Sequence, residues 1–159
     1  MMPKIKTNKK WNILFTIPNF DTAGSGKALL NICSRLDKKS FKTYISCSHS
    51  KGSLFKNVIS SGIPCYINNN QLDMKPRLEG IFKCYQLSKF FKTINIDLIH
   101  SFHYGPDYSE ALAAKIAGIP WIYTKKNMNW GGSSKNGWKM RSMLSSHILL
   151  QNRDMQKLF

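Results

Sequence analysis

Residues 12–36 read NILFTIPNFDTAGSGKALLNICSRL. An apolar run from Asn12 to Ile17 gives way to a stretch holding Pro18, Asn19, Asp21, Gly24 and Gly26. There follows a segment, Ser25 to Asp37, whose Ala28, Leu29, Ile32, Cys33 and Leu36 recur at helical spacing. A buried strand, a glycine-bearing turn and a helix are the opening unit of an α/β sheet. Glycines before a helix N-terminus permit a tight turn, and the helix offers unpaired amides to an anion; a plain strand-to-helix turn is the alternative. A nucleoside-triphosphate loop would require G-x-x-x-x-G-K-[ST]. Here Asp21 stands at the first glycine position and Ala28 follows Lys27. The acid repels phosphates and alanine cannot ligate magnesium, which argues against ATP hydrolysis.

The alternation continues along the chain. Lys42 to Ser48 is predicted as a second strand, Ser53 to Ser61 as a short helix stopped by Gly62, and Pro64 to Ile67 as a third strand. Arg77 to Ile94 reads as a long helix, with Leu78, Ile81, Phe82 and Tyr85 at helical spacing and basic Arg77, Lys83, Lys89 and Lys92 between them. Asp97 to Ser101 is a fourth strand, Asp107 to Ala117 a helix ended by Gly118, and Trp121 to Thr124 a fifth strand. A polar loop to Gly137, a short helix and a sixth strand from His147 to Leu150 complete the series. The pattern predicts an α/β fold, a doubly wound parallel sheet forming one Rossmann-like domain over residues 11–159, after a basic polar leader over residues 1–10. Ligands of such sheets sit beyond the carboxyl ends of the strands. That rule selects the loops Asn19 to Gly26, Ser48 to Gly52, Ser101 to Asp107 and Lys125 to Gly137.

Composition narrows the function classes. An apolar content of 42%, with 12% aromatic, fits a globular domain and excludes general disorder. Twenty-four Lys and Arg against eight Asp and Glu leave a net charge of +16, spread along the chain, which calls for an acidic partner such as an anionic membrane, a phosphorylated substrate or nucleic acid. Low-GC coding bias accounts for part of that excess. The cysteines Cys33, Cys47, Cys65 and Cys84 show no C-x-x-C spacing and read as reduced thiols of a cytoplasmic protein. No secretion signal and no apolar segment of membrane-spanning length is present.

Two constellations carry candidate chemistry. His100-Ser-Phe-His103 closes the fourth strand and is followed by Tyr104, Gly105, Pro106 and Asp107. These residues do not complete a zinc set, so no metal is expected, and one histidine is a candidate to bond a substrate hydroxyl or phosphate. A histidine capping the loop backbone is the alternative. The segment Tyr123 to Arg141 interleaves Lys125, Lys126, Lys135, Lys139 and Arg141 with Met128, Trp130, Trp138 and Met140. Such a loop stacks on sugars, meets single-stranded nucleic acid or inserts at a lipid interface. No RNA-reading signature accompanies it, which argues against nucleic acid. A solvated basic loop with one Trp packed down is the plain reading. No acidic pair and no Ser-His-Asp or Cys-His set is evident at the strand ends.

The segments ILFTIPNFDTAGSGKALLNICSRL, SCSHSKGSLFKNVISSGIPCYI, IDLIHSFH and ALAAKIAGIPWIYT occur in this order. Together they resemble the N-terminal domain of a family 4 retaining glycosyltransferase with the two-domain GT-B architecture. The likeness covers nearly the whole chain from Trp11. It implies the acceptor-binding half of a sugar-nucleotide-dependent enzyme, with a nucleotide-diphosphate sugar as donor and no cofactor held by the chain. The donor domain, with its E-x7-E element, would be a further domain absent from this sequence, so this half alone is not expected to catalyse hexosyl transfer. The chain's end at Phe159, just inside what reads as another helix, carries the same expectation of a longer protein.

By that resemblance Gly24, Ser25 and Gly26 would lie against the donor diphosphate. His100, His103 and Tyr104 would face the acceptor, and Lys126 and Asn127, after the fifth strand, would add a contact near the sugar. His100, His103 and Lys126 are the catalytic candidates. Two positions depart from the family pattern: the second histidine stands at 103, one place later than in H-x-H, and Lys126 occupies the histidine position of T-x-H. The resemblance also implies a role in cell-envelope polysaccharide or glycolipid synthesis, with a glycan or lipid-linked acceptor, peripheral on the inner face of the membrane. Trp130, Lys135, Trp138, Lys139 and Arg141, with the helix from Arg77 to Lys92, would form the membrane or acceptor face. The competing reading is a non-catalytic stand-alone module, or one subunit of a split transferase that recruits a partner.

Overall fold

The computed structural model describes residues 9–21, 23–125 and 135–150. Its elements in chain order are β1 (Trp11–Thr16), α1 (Ala23–Arg35), β2 (Phe41–Cys47), α2 (Phe55–Ser60), β3 (Cys65–Ile67), α3 (Arg77–Thr93), β4 (Leu98–Ser101), α4 (Ser109–Ala117), β5 (Trp121–Lys125), α5 (Lys135–Leu144) and β6 (His147–Leu150). Every element expected from the sequence is present, with boundaries moved by one to three residues. The strands form one sheet in the order β3-β2-β1-β4-β5-β6, and all five neighbouring pairs run parallel. The order reverses direction between β1 and β4, which makes the gap between the loops that follow them the topological switch point.

The continuous apolar character of β1 follows from its central position. Successive side chains point to opposite faces, and both faces are covered. Ile13 and Phe15 join Leu29 and Cys33 of α1, Ile45 of β2 and Val58 of α2 on one side. Leu14 faces the other way, into a cluster with Cys84, Leu87 and Phe91 of α3, Ala111 and Ala114 of α4, and Trp121 of β5. Helix α4 ends at Gly118, whose φ of 73° is the left-handed conformation that releases a chain from a helix with no Cβ penalty.

Helix α3 departs from the apolar spacing of its sequence. Its buried residues are Gly80, Cys84, Leu87, Ser88 and Phe91. Leu78, Ile81, Phe82 and Tyr85 are 83%, 45%, 58% and 46% exposed. Small residues decide the orientation: a Cβ at Gly80 would stand 2.6 Å from Met74 Cα, so glycine lets the helix start close under the preceding segment. The more apolar stripe is left facing outward.

Candidate functional site

One wall of the switch-point gap is the segment Ile17 to Asp21. Its backbone is tied to the end of β2: the Ile17 amide donates to the Ser46 carbonyl (3.1 Å) and the Ser48 amide to the Pro18 carbonyl (3.0 Å). Phe20 is fully buried and meets Phe55 edge-on at 6.4 Å. Gly52, at φ 117°, backs onto this segment so closely that a Cβ would lie 2.7 Å from the Phe20 carbonyl and 2.6 Å from Asp21 Oδ1. Glycine is required at 52 for both reasons.

Gly24, Ser25 and Gly26 lie in the first turn of α1 and not in the turn before it. Gly26 therefore serves space and not backbone freedom. A Cβ at Gly26 would meet Phe20 Cδ1 at 2.9 Å and Leu54 Cδ1 at 3.1 Å, whereas one at Gly24 would meet nothing within 4 Å. The first turn carries no acidic residue, and its amides have no partners within the helix. Beside it, His49 Nε2 stands 3.7 Å from Asp21 Oδ2, both side chains partly exposed.

The opposite wall is the segment from Phe102 to Tyr108. The Phe102 amide donates to the Thr16 carbonyl at 2.7 Å, joining the two walls at their base. His100 Nε2 is 2.8 Å from Thr124 Oγ1 on the neighbouring strand, and its ring packs against Phe15 and Phe102 at 5.2 and 4.8 Å. His103 is 3% exposed, with Nε2 3.8 Å from Glu110 Oε1. The other oxygen of Glu110 accepts the Trp121 indole N–H at 2.9 Å. Both histidine rings thus sit inside the wall, and the exposed residue of the group is Tyr104.

Arg141 holds this wall from behind. Its guanidinium donates to the carbonyls of His103 (2.6 Å), Gly105 (2.8 Å) and Asp107 (3.1 Å), and it lies among the rings of Tyr123, Trp121 and Trp138 at 4.7, 5.0 and 5.7 Å. Burial pulls the Arg141 pKa below its ordinary value, against the opposing pull of Glu110. Asp107 Oδ1 accepts from the Ser109 amide (3.1 Å) and hydroxyl (2.7 Å) at the start of α4, while burial raises its carboxyl pKa.

These contacts correct one expectation. Arg141 and Trp138 do not belong to a surface face: they are 1% and 6% exposed, because the backbone carbonyls of residues 103–107 and the aromatic rings around them supply the partners that solvent would otherwise provide. Lys135 and Lys139 are exposed as a surface face requires. Lys126, Asn127 and Trp130 lie outside the described residues. Sequence reasoning placed Gly52 at the end of a selected loop without its packing role, and missed Glu110 and the holding role of Arg141; the expected helix start at Asp107 was the one local signal beside them. Among the described residues, no group of three or more His, Cys, Asp or Glu could hold a metal ion. No helix among them is long and apolar enough to cross a membrane.

A strand order with its reversal between β1 and β4, a glycine-bearing first turn at that reversal and a walled gap above it define a doubly wound, Rossmann-like α/β domain. Residues 22–154 match the model of Glycosyltransferase Family 4, and the chain belongs to that family as an N-terminal domain of GT-B architecture. The fold is similar to that of MurG from Acinetobacter baumannii, with a TM-score of 0.62 and 14% identity over 89% of this chain and 41% of that one. It is equally similar to Anabaena HepE in complex with UDP and glucose, with a TM-score of 0.62 and 17% identity over 92% of this chain and 40% of that one. A UDP-N-acetylglucosamine 2-epimerase aligns with a TM-score of 0.63 and 13% identity over 94% and 44% of the two chains. The chain therefore spans less than half the length of these proteins. No curated protein matches it in sequence.

Proposed function

We propose that the chain is the acceptor-side half of a sugar-nucleotide-dependent glycosyltransferase that works on cell-envelope polysaccharide or glycolipid, on the inner face of the membrane. The observation that carries this reading is the open space in front of Gly24, at the N-terminus of α1 and at the switch point of the sheet. Unpaired amides and the positive end of the helix dipole suit a diphosphate there, with Ser25 as a hydroxyl donor. Family membership and the UDP held by HepE support the same donor class. Tyr104, Lys126 and Asn127 are assigned to the acceptor side, and the donor's base and sugar to a second domain.

The reading is tested in the full-length protein by following transfer from UDP-sugars to envelope-lipid extracts, with Gly24→Val beside the parent. Transfer by the parent and its loss in the variant are expected. A full-length parent that neither binds nor turns over any sugar nucleotide removes the reading and leaves a non-catalytic module.

A further inference from the structure

Strands β2 and β3 bring two thiols together at the edge of the sheet. Cys47 Sγ and Cys65 Sγ lie 3.9 Å apart, on the face that packs against α1 and α2. The register explains the approach: Cys47 stands opposite Ile67 and Cys65 opposite Ile45, so the two cysteines are diagonal neighbours on one face. Cys47 is buried, while Cys65, on the edge strand, is partly exposed.

The chain's four cysteines therefore fall into two kinds. Burial pushes the thiols of Cys33 and Cys84 up to about 12 and about 11, which leaves them inert. In the pair the hydrogen bond between the sulfurs outweighs burial, lowering the Cys47 pKa and raising that of Cys65. Cys47 Sγ also lies 3.3 Å from the His49 carbonyl, which accepts its thiol hydrogen when the pair is fully protonated. Either sulfur can donate to the other, so the negative charge of the singly ionised pair reaches the surface at Cys65.

A disulfide needs its sulfurs about 2 Å apart and its Cα atoms within about 6.8 Å, whereas diagonal neighbours in a sheet stand about 7–8 Å apart at Cα. Closure of the pair therefore slides β3 toward its own carboxyl end, bringing Cys65 level with Cys47. Strand β3 can yield, because it has three residues and a partner on one side only. The segment after it is tied down at three points. The Asn68 amide donates to the Cys47 carbonyl (2.8 Å), Asn70 Nδ2 to Ser46 Oγ (2.9 Å) and the Leu72 amide to Ser109 Oγ (2.9 Å). A slide of β3 strains these bonds, the last of them at the start of α4, beside the Phe102–Tyr108 wall.

We propose that Cys47 and Cys65 form a thiol–disulfide switch, a modification site whose oxidant is a low-molecular-weight disulfide. The Cys65 thiolate attacks one sulfur of the reagent, breaking its S–S bond and releasing one thiolate. Cys47 then gives up its proton and attacks the Cys65 sulfur, forming the Cys47–Cys65 bond and releasing the second thiolate. The two protons lost by the cysteines end on the two leaving thiolates; the cysteines lose two electrons and the reagent gains them. The site stands independently of the function proposed above.

The reduced 159-residue chain is treated with oxidised glutathione without denaturant, its remaining thiols are alkylated, and the tryptic digest is read by mass. A cross-link between the peptides Thr43–Lys51 and Asn57–Arg77 is expected to form at least about tenfold faster than any modification of Cys33 or Cys84. Cys47→Ala, which lacks the second thiol, should stop at a mixed disulfide on Cys65, and Cys65→Ser should leave the buried Cys47 unmodified. In the oxidised chain the Asn68 and Leu72 amides should exchange hydrogen at least about tenfold faster than in the reduced chain, and dithiothreitol should restore the slower rates.

No reaction of the pair overturns the proposal, as does a mixed disulfide that persists on Cys65 of the parent, or modification of Cys33 and Cys84 at the rate of the pair. A cross-link that leaves both amides exchanging as before overturns the switch, since β3 has then not moved. The parent's cross-link is read without any substitution, so a Cys47→Ala chain that fails to fold does not spare the proposal.

Discussion

Arg141 Nη2 donates to the carbonyl oxygen of His103 at 2.6 Å, joining α5 to the end of β4 across 38 positions of sequence. The same guanidinium takes two further carbonyls, of Gly105 and Asp107, so the shape of this wall depends on one buried cation.

Arg141→Ala should cost about 3–5 kcal/mol, since it opens a cavity among three aromatic rings and leaves buried carbonyls unpaired. Arg141→Lys keeps the charge but loses the planar fork and should still cost about 2 kcal/mol. Urea unfolding of both variants measures this; a loss under about 0.5 kcal/mol for the alanine variant contradicts the holding role.

Gly24 and Gly26 should separate by mechanism. Gly26→Ala forces Phe20 and Leu54 aside and should cost about 1–2 kcal/mol. Gly24→Ala enters open space in a helical turn and should be neutral or stabilising by about 0.5 kcal/mol, yet weaken sugar-nucleotide binding in the full-length protein. Melting curves paired with donor titration distinguish the two, and undiminished donor affinity in the Gly24 variant counts against the diphosphate assignment.

The two faces of α3 give a third test. Phe91 is fully buried, so Phe91→Ala should cost about 3–5 kcal/mol. Phe82, 58% exposed, should change stability by no more than about 0.5 kcal/mol when replaced by Ala. Comparable losses at the two positions would mean that the helix is rotated from its described orientation.

Asp107 links the wall to pH. Burial raises its folded-state pKa above the ordinary 3.8, so the folded state binds the proton more tightly than the unfolded chain. Its contribution to stability is complete below the unfolded value and is lost as pH rises through the folded one. Asp107→Asn, which retains a side-chain acceptor for Ser109, should abolish that decline. Chemical denaturation at stepped pH reads the difference; an identical slope in parent and variant assigns the decline to another group.

The strands were legible because each is an apolar run bounded by turn formers, and β1 with α1 because a continuous apolar run gives way there to apolar residues at helical spacing. The buried face of α3 was not, since Gly80, Cys84 and Ser88 add little to an apolar pattern while Leu78 and Phe82 dominate it; fit against Met74 chose the smaller side chains. Arg141 read as a surface cation because its acceptors are backbone carbonyls 34 to 38 positions away, which no local pattern reports. Gly24 and Gly26 were found by type, yet both read as turn formers although they lie in the first turn of α1, and the closeness of Gly26 to Phe20 and Leu54 is a tertiary fact.

The hydrogen bond from the Phe102 amide to the Thr16 carbonyl lies where the two walls part. One wall is fastened to the α1 and α2 layer through Phe20, the other to the α4 and α5 side through Asp107 and Arg141. Spreading the gap would therefore require one helical layer to slide over the sheet against the other, breaking strand pairing at β1 and β4. Fastened on both sides, the gap presents a preset opening to which the donor proposed for it would have to conform.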